Sequence, residues 1–193
     1  MCKASARRAY WRVRGNNDYN KKLEVPPTIE MFDPTTLDEM VNYTDLIIIG
    51  EVEERHNKVN TPLDPNSNTP EAAIQNKMKS QGFQPSDGPA IIPNRVKVKE
   101  VLHGNTTSKE ITIIQSEIFE GYEPKLNKKD TMIFFLSKVS DRAEHYNIVH
   151  PYASYYYIKN NKLDPVYKKN EFTQLTGISI EDFKSKINNA KKK

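Results

Sequence analysis

A single cysteine, Cys2, stands in the 193 residues. That excludes an internal disulfide and any cysteine-based zinc centre, which needs several thiolates. Glycine is scarce, at seven. No Walker loop, no G-x-S-x-G elbow and no S-x-x-K on a plausible element can be found, so the phosphate cradles and nucleophile motifs that depend on them are missing. Long apolar runs are lacking too. The longest, Asp45–Val52 and Met132–Leu136, have strand length and fall far short of the roughly eighteen residues of a membrane-spanning helix. Hydrophobic residues make up 36% and charged residues 28%. A chain this polar leaves some stretches outside any core, and its length suits one domain with tails.

The net charge of +4 conceals an uneven distribution. Residues 1–25 carry seven Lys/Arg against two acids, and residues 184–193 carry five lysines and no acid. Each end is therefore +5, and residues 26–183 sum to −6. A basic isoelectric point ordinarily points to a polyanionic partner. Here the basic charge sits in the tails and the body is acidic, which argues against nucleic acid.

Residues 1–32 read as a basic leader closed by Pro26-Pro27, either disordered or left by cloning, with no apolar stretch of the kind an intact signal peptide needs. Asp33 and Pro34 have the residue types of a helix N-cap and first helical position, and Leu37, Met40 and Val41 then share one face. Asp45–Val52 predicts a strand buried on both faces, with Gly50 marking a bend or bulge. Residues 54–94 hold six prolines among Asn, Ser and Asp and read as an insertion in a β–β connection, with a helix opening at Thr69. Strands follow at Asn94–Leu102, where Val96 and Val98 alternate with Arg95, Lys97 and Lys99, then at Glu110–Gln115, Thr131–Leu136, Tyr146–Val149 and Ser154–Ile158. Asn160-Asn161 makes a hairpin turn returning through Leu163 to Val166. Ser179 caps a final helix whose Ile180, Phe183 and Ile187 form one stripe. The sum is a mainly β fold: a small antiparallel Greek-key barrel of the OB type, with a short N-terminal helix and a C-terminal helix whose stripe plugs it, over residues 33–190.

The phrases TDLIIIGEV, RVKVKEVLHGN, KEITIIQSE, KKDTMIFFL, YYYIKNNKLDPV and GISIEDFKSKI, in that order, resemble a family of secreted or surface-attached proteins of Gram-positive bacteria. The domain of that family is similar to the OB-like barrel of tissue inhibitors of metalloproteases and netrin modules. The resemblance spans Leu37 to Ile187 apart from the insertion, and implies an extracellular or cell-surface location, with the cytoplasm as the alternative. It does not bring the inhibitors' mechanism, which requires a disulfide-held N-terminal cysteine that Cys2 cannot supply.

The search for chemistry returns little. His56, His103, His145 and His150 show no metal-ligand spacing, and the acids Glu51, Glu53 and Glu54, and Glu117 and Glu120, lack the calcium-loop pattern and read as solvated strand ends. No metal, cofactor or catalytic residue is expected. Cys2 is either the lipid-modified first residue of a mature lipoprotein or a cloning-derived residue. The tyrosines are the most suggestive feature. Tyr155 and Tyr157 share one strand face, Tyr156 opposes them, and Tyr152 precedes them. An exposed tyrosine pair stacks bases or sugars on OB folds, although core packing explains tyrosine equally well. The expectation is a monomeric, non-enzymatic surface domain that binds a protein or glycan through Tyr152, Tyr155 and Tyr157 and the insertion. Any membrane contact would run through a lipid anchor or basic tail. A single-stranded nucleic-acid binder using the same face is the alternative.

Overall fold

The computed structural model describes residues 34–60, 76–77, 79–82, 90–140 and 142–190. The chain divides between Asp33 and Pro34, and every described residue belongs to the second unit. The leader, Cys2, Asp33, and the Thr69 start of the helix expected within the insertion lie outside the described residues. Asn76–Lys77 and Lys79–Ser80 are helical.

The order of elements is α1 (Leu37–Asn42), β1 (Leu46–Arg55), β2 (Ile91–His103), β3 (Glu110–Ser116), β4 (Thr131–Lys138), β5 (His145–Ile148), β6 (Tyr155–Lys159), β7 (Lys162–Pro165) and α2 (Ile180–Ala190). Helix α1 is capped by Thr36, whose hydroxyl accepts from the Glu39 amide while the Glu39 carboxylate accepts from the Thr36 backbone. This capping box starts the helix later than Asp33-Pro34 would. Leu37, Met40 and Val41 are buried, as their spacing requires.

Strands β1, β2, β3, β5 and β4 pair in that order, and β4 returns to β1, so five strands close a barrel. All these pairings are antiparallel except β3–β5, which is parallel and seals the closure. The mainly β, OB-like architecture read from the sequence is the observed one. The hairpin of β6 and β7 is added to the outer half of β4. One edge of β4 takes β1 along Thr131–Leu136, while the other is shared, with β5 on Leu136–Lys138 and β6 on Met132–Phe134. Strands β5 and β6 thus behave as one line interrupted at residues 149–154. Asn160 and Asn161 turn the β6–β7 hairpin at φ 51° and 60°, the left-handed conformations a two-residue turn of this kind needs.

Because strand side chains alternate, each central strand feeds two cores. Leu46, Ile48, Val52, Val96, Ile111, Ile113, Met132, Phe134, Leu136, Tyr146 and Tyr155 fill the bore. Ile47, Ile49, Ile133, Phe135, Tyr156 and Leu163 face outward and are covered by both helices through Met40, Val41, Phe183 and Ile187. The C-terminal stripe therefore corrects one expectation. Phe183 and Ile187 lie on the outer face of β1, β4 and β6 and do not plug the bore, because the bore is already filled by its own strands. Gly50 sits where the β1–β2 register shifts. A Cβ there would lie 2.5 Å from a Val96 methyl carbon, so the close approach of two strands excludes a side chain.

Strand β2 begins at Ile91, earlier than expected, and β1 runs on to Arg55. His56 and Val59 continue the ladder, donating to the Pro93 and Ile91 carbonyls at 2.9 Å. The insertion is accordingly narrower than 54–94 and is rooted at one end of the barrel.

Candidate functional site

The bore is apolar except at that end. Inward positions on β2 and β3 alternate Ile92, Asn94, Val96 and Ile111, Ile113, Gln115, all buried. The polar members, Asn94 and Gln115, fall together beside the hydroxyl of Tyr155. Gln115 Nε2 donates to Tyr155 Oη at 2.9 Å and to the Pro124 carbonyl at 3.1 Å. Its Oε1 accepts from Arg55 at 3.1 Å and from Asn94 at 3.3 Å. Asn94 Nδ2 also donates to the carbonyls of Ile92 and Ile113, while its Oδ1 is buried with no hydrogen-bond partner.

Over this floor lies the segment after the Glu117–Phe119 turn. Its entry is pinned by the Glu117 amide donating to the Ala90 carbonyl at 2.8 Å, and its return by the Tyr122 and Glu123 amides donating to the Phe119 carbonyl. Glu123 is carried in beside the Tyr155 and Gln115 side chains, close enough for both to act on its carboxyl. Burial pushes its carboxyl up to about 8, against the lowering effect of those two side chains and of the nearby Arg55 charge. Desolvation penalises the charged form more than the neighbours reward it, so the fold favours the protonated form of Glu123. Burial also raises the Tyr155 hydroxyl well above its usual range, and the adjacent Glu123 adds to the shift.

The rim is aromatic. Tyr122 and Tyr152, both partly exposed, meet edge to face with centroids 6.4 Å apart. Tyr152 stacks on Tyr167 at 6.3 Å and 19°, and His150 lies 5.7 Å from each ring. His150 is structural: its Nδ1 accepts from the Tyr152 and Ala153 amides, and its own amide donates to Ser154 Oγ at 2.8 Å. These bonds fix the excursion between β5 and β6, and with it the Tyr152 ring. On the outer side, Arg55 lies 3.8 Å from Glu120, and Lys58 bridges Glu117 and Glu120 at 2.8 and 2.5 Å.

Comparisons with family models, curated proteins and solved structures gave no match to this chain. The arrangement itself has to carry the functional argument.

The tyrosines expected to form one binding face separate. Tyr155 is fully buried in the bore and presents no ring to a ligand, so the exposed pair of Tyr155 and Tyr157 does not form; the inward face of β6 is the filled interior of a closed barrel. Tyr157 is partly buried against the same core, with the Lys159 ammonium 5.6 Å from its ring centre. Tyr156 is fully buried on the opposite face, between Phe135 at 5.4 Å and Phe183 at 5.1 Å. Of the three, Tyr152 lies at the rim, in contact with Tyr122. The residues that sequence reasoning missed are Arg55, Asn94, Gln115, Tyr122 and Glu123. A signal existed for two of them, since Asn94 and Gln115 are polar residues at inward positions of otherwise apolar strands.

Elsewhere several exposed charges on the barrel wall are paired. Arg95 meets Glu53, Glu54 and Glu110 at 3.2–3.6 Å, and Lys99 meets Glu51 at 2.9 Å. Lys184 of the basic tail meets Glu100 and Glu181, each at 2.8 Å. Of the acids read as solvated strand ends, Glu51, Glu53 and Glu54 are partners of Lys99 and Arg95, while Glu117 and Glu120 pair with Lys58.

Proposed function

We propose that the chain is a non-enzymatic interaction domain of the cell surface, whose OB-like barrel takes a protein or glycan at the end framed by Tyr122 and Tyr152. One observation carries this reading. Two partly exposed tyrosine rings in contact, Tyr152 being held by Tyr167 and His150, stand beside a cluster of buried hydrogen-bonding side chains at one end of the filled barrel. Aromatic surfaces beside a few convergent polar groups at a barrel mouth are a common form of binding site. Rings fixed before contact lose little entropy on binding. The resemblance to secreted Gram-positive proteins supports a surface location, and Cys2 as a lipid attachment point belongs to the same proposal.

Nucleic acid is the weaker partner. Arg95, Lys99 and Lys184, three cations of the barrel wall, are each engaged by carboxylates, and phosphate binding draws on cations free to release counterions.

The test is a screen of the full chain against immobilised glycans and a displayed peptide library, repeated with Tyr122→Ala and Tyr152→Ala. Binding that both substitutions weaken supports the proposal. A ligand indifferent to both, or salt-dependent binding of a single-stranded oligonucleotide at physiological ionic strength, overturns it.

A further inference from the structure

Strand pairing sets Lys159 directly opposite Lys162 across the β6–β7 hairpin, and like charges in that position repel. Two pairs further on, Asp164 faces Tyr157 and lies on the same face of the hairpin. Its carboxylate is shared between two cations, Lys159 at 2.9 Å and Lys168 at 2.7 Å. Lys169 follows, with its ammonium 5.8 Å from the centre of the Tyr167 ring. Residues 155–169 thus carry four lysines against one aspartate, a surplus of +3 inside a body that sums to −6. Lys162 and Lys169 are exposed and, among the described residues, neither has an ion-pair partner. The row runs from the Asn160-Asn161 turn to Tyr167, which stacks on Tyr152 at the rim, so it continues the candidate site along the hairpin.

The surroundings select the anion. All four cations are lysines, and residues 150–169 hold no arginine. A planar carboxylate is best matched by a guanidinium fork, whereas an ammonium takes phosphate as a point charge. A peptide strand finds no edge to join, since Leu163 already pairs with Ile178 and Gly177 at 3.0 and 2.7 Å and Pro165 has no N–H to offer. A lipid surface finds no apolar anchor, because the exposed large side chains Tyr43, Val59, Val101 and Ile118 all lie on other segments, and interfacial binding leans on buried apolar area. Bases need open rings to stack on. The rings of this row, Tyr157 and Tyr167, each carry a lysine ammonium, at 5.6 and 5.8 Å from their centres.

We propose that the row of Lys159, Lys162, Lys168 and Lys169 holds a chain of sugar or polyol units joined through phosphodiesters. This rests on the interaction-domain reading and names the ligand class of its site along the hairpin. A bound phosphate offsets the Lys159–Lys162 repulsion that the free domain bears.

The experiment measures binding of the full chain to poly(glycerol phosphate) by calorimetry. Parallel arms use oligogalacturonate, polyglutamate, an oligothymidylate, phosphatidylglycerol vesicles and an uncharged glucan. The expected result is saturable binding of poly(glycerol phosphate), tighter than in any other arm, that weakens about tenfold or more between about 50 and about 200 mM salt. Lys162→Glu combined with Lys169→Glu weakens it about tenfold or more, a tenfold loss being about 1.4 kcal/mol. Lys79→Glu combined with Lys109→Glu, an equal charge change at exposed positions outside the row, leaves it within about twofold. Lys162→Glu also leaves the Tm of the free domain unchanged or raised, because it turns a like-charged cross-strand pair into an opposite one; a lysine kept for folding lowers it. If poly(glycerol phosphate) does not bind at millimolar phosphate, if another arm binds tighter, or if both double variants cost the same, the row assignment fails. A peptide or glucan that needs Tyr122 and Tyr152 but ignores the lysines sinks the row and leaves the interaction domain standing. Phosphate-polymer binding that needs the lysines but ignores both tyrosines does the reverse.

Discussion

Two adjacent tyrosines allow the same substitution to be made with opposite expected outcomes. Tyr155→Phe removes a hydroxyl that accepts from Gln115 at 2.9 Å and lies beside Glu123, all within the sealed end of the bore. The ring and its edge-on contact with Phe134 at 6.1 Å survive, so the loss is polar. Gln115 keeps its bond to Pro124, but its second N–H loses the hydroxyl and has only the Glu123 carboxyl beside it, which costs up to about 1–3 kcal/mol. In a chain of this size that lowers Tm by roughly 2–10 °C. Tyr156→Phe, one residue on, removes a hydroxyl that is buried and has no partner. Its packing against Phe135 and Phe183 remains, and deleting an unmatched polar group from the interior is neutral or stabilising by up to about 1 kcal/mol. Urea unfolding at pH 6, where Glu123 stays protonated in the folded state, reads both variants against wild type with a common m-value. A loss in Tyr156→Phe equal to or larger than that in Tyr155→Phe would show that the assignment of the two faces is wrong.

Glu123 imposes a pH signature. Its folded value of about 8 exceeds the ordinary 4.5, so between those values the folded chain holds a proton that the unfolded chain has lost. Stability therefore falls as pH rises from about 4.5 to about 8. Glu123→Gln flattens that slope in unfolding curves measured across the window, and an unchanged slope would assign it elsewhere. Phe183→Ala empties a fully buried site between Phe135 and Tyr156 and lowers stability by about 3–5 kcal/mol; a cost below about 1 kcal/mol would mean that α2 is dispensable to the outer core. Gly104→Ala places a Cβ 2.0 Å from the Asp45 carbonyl oxygen at a φ of +76° and costs about 2–4 kcal/mol in the same assay. Arg95→Ala, by contrast, changes stability by less than about 1 kcal/mol at moderate salt, because its acids are exposed and screened.

The fold was largely legible because the strands announce themselves. Leu46–Ile49 and Met132–Leu136 are apolar on both faces, and in the structure they are the two strands sandwiched between the bore and the helices. Asp33-Pro34 and Thr36 satisfy the same local rule for a cap; Glu39, three residues after Thr36, decides between them. The closure through parallel β3–β5 was not legible, since pairing between distant strands leaves no local mark. The site was harder to read for the same reason. Alternation correctly placed Tyr155 and Tyr157 on one face, but which face is interior depends on β6 joining the already filled side of β4. Glu123 sits in an ordinary loop phrase, Gly-Tyr-Glu-Pro, and only the fold carries it against Tyr155.

Strand β4 has no spare edge. Among the described residues it is the sole strand paired with three others, β1, β5 and β6, and its alternate residues supply both interiors. Neither the cylinder nor its helical jacket can come apart while the other stays intact, since each would have to take the same eight residues with it. Amide exchange along Thr131–Lys138 should therefore track opening of the entire domain, and a cut at the 149–154 excursion would yield two fragments that must find each other again to fold.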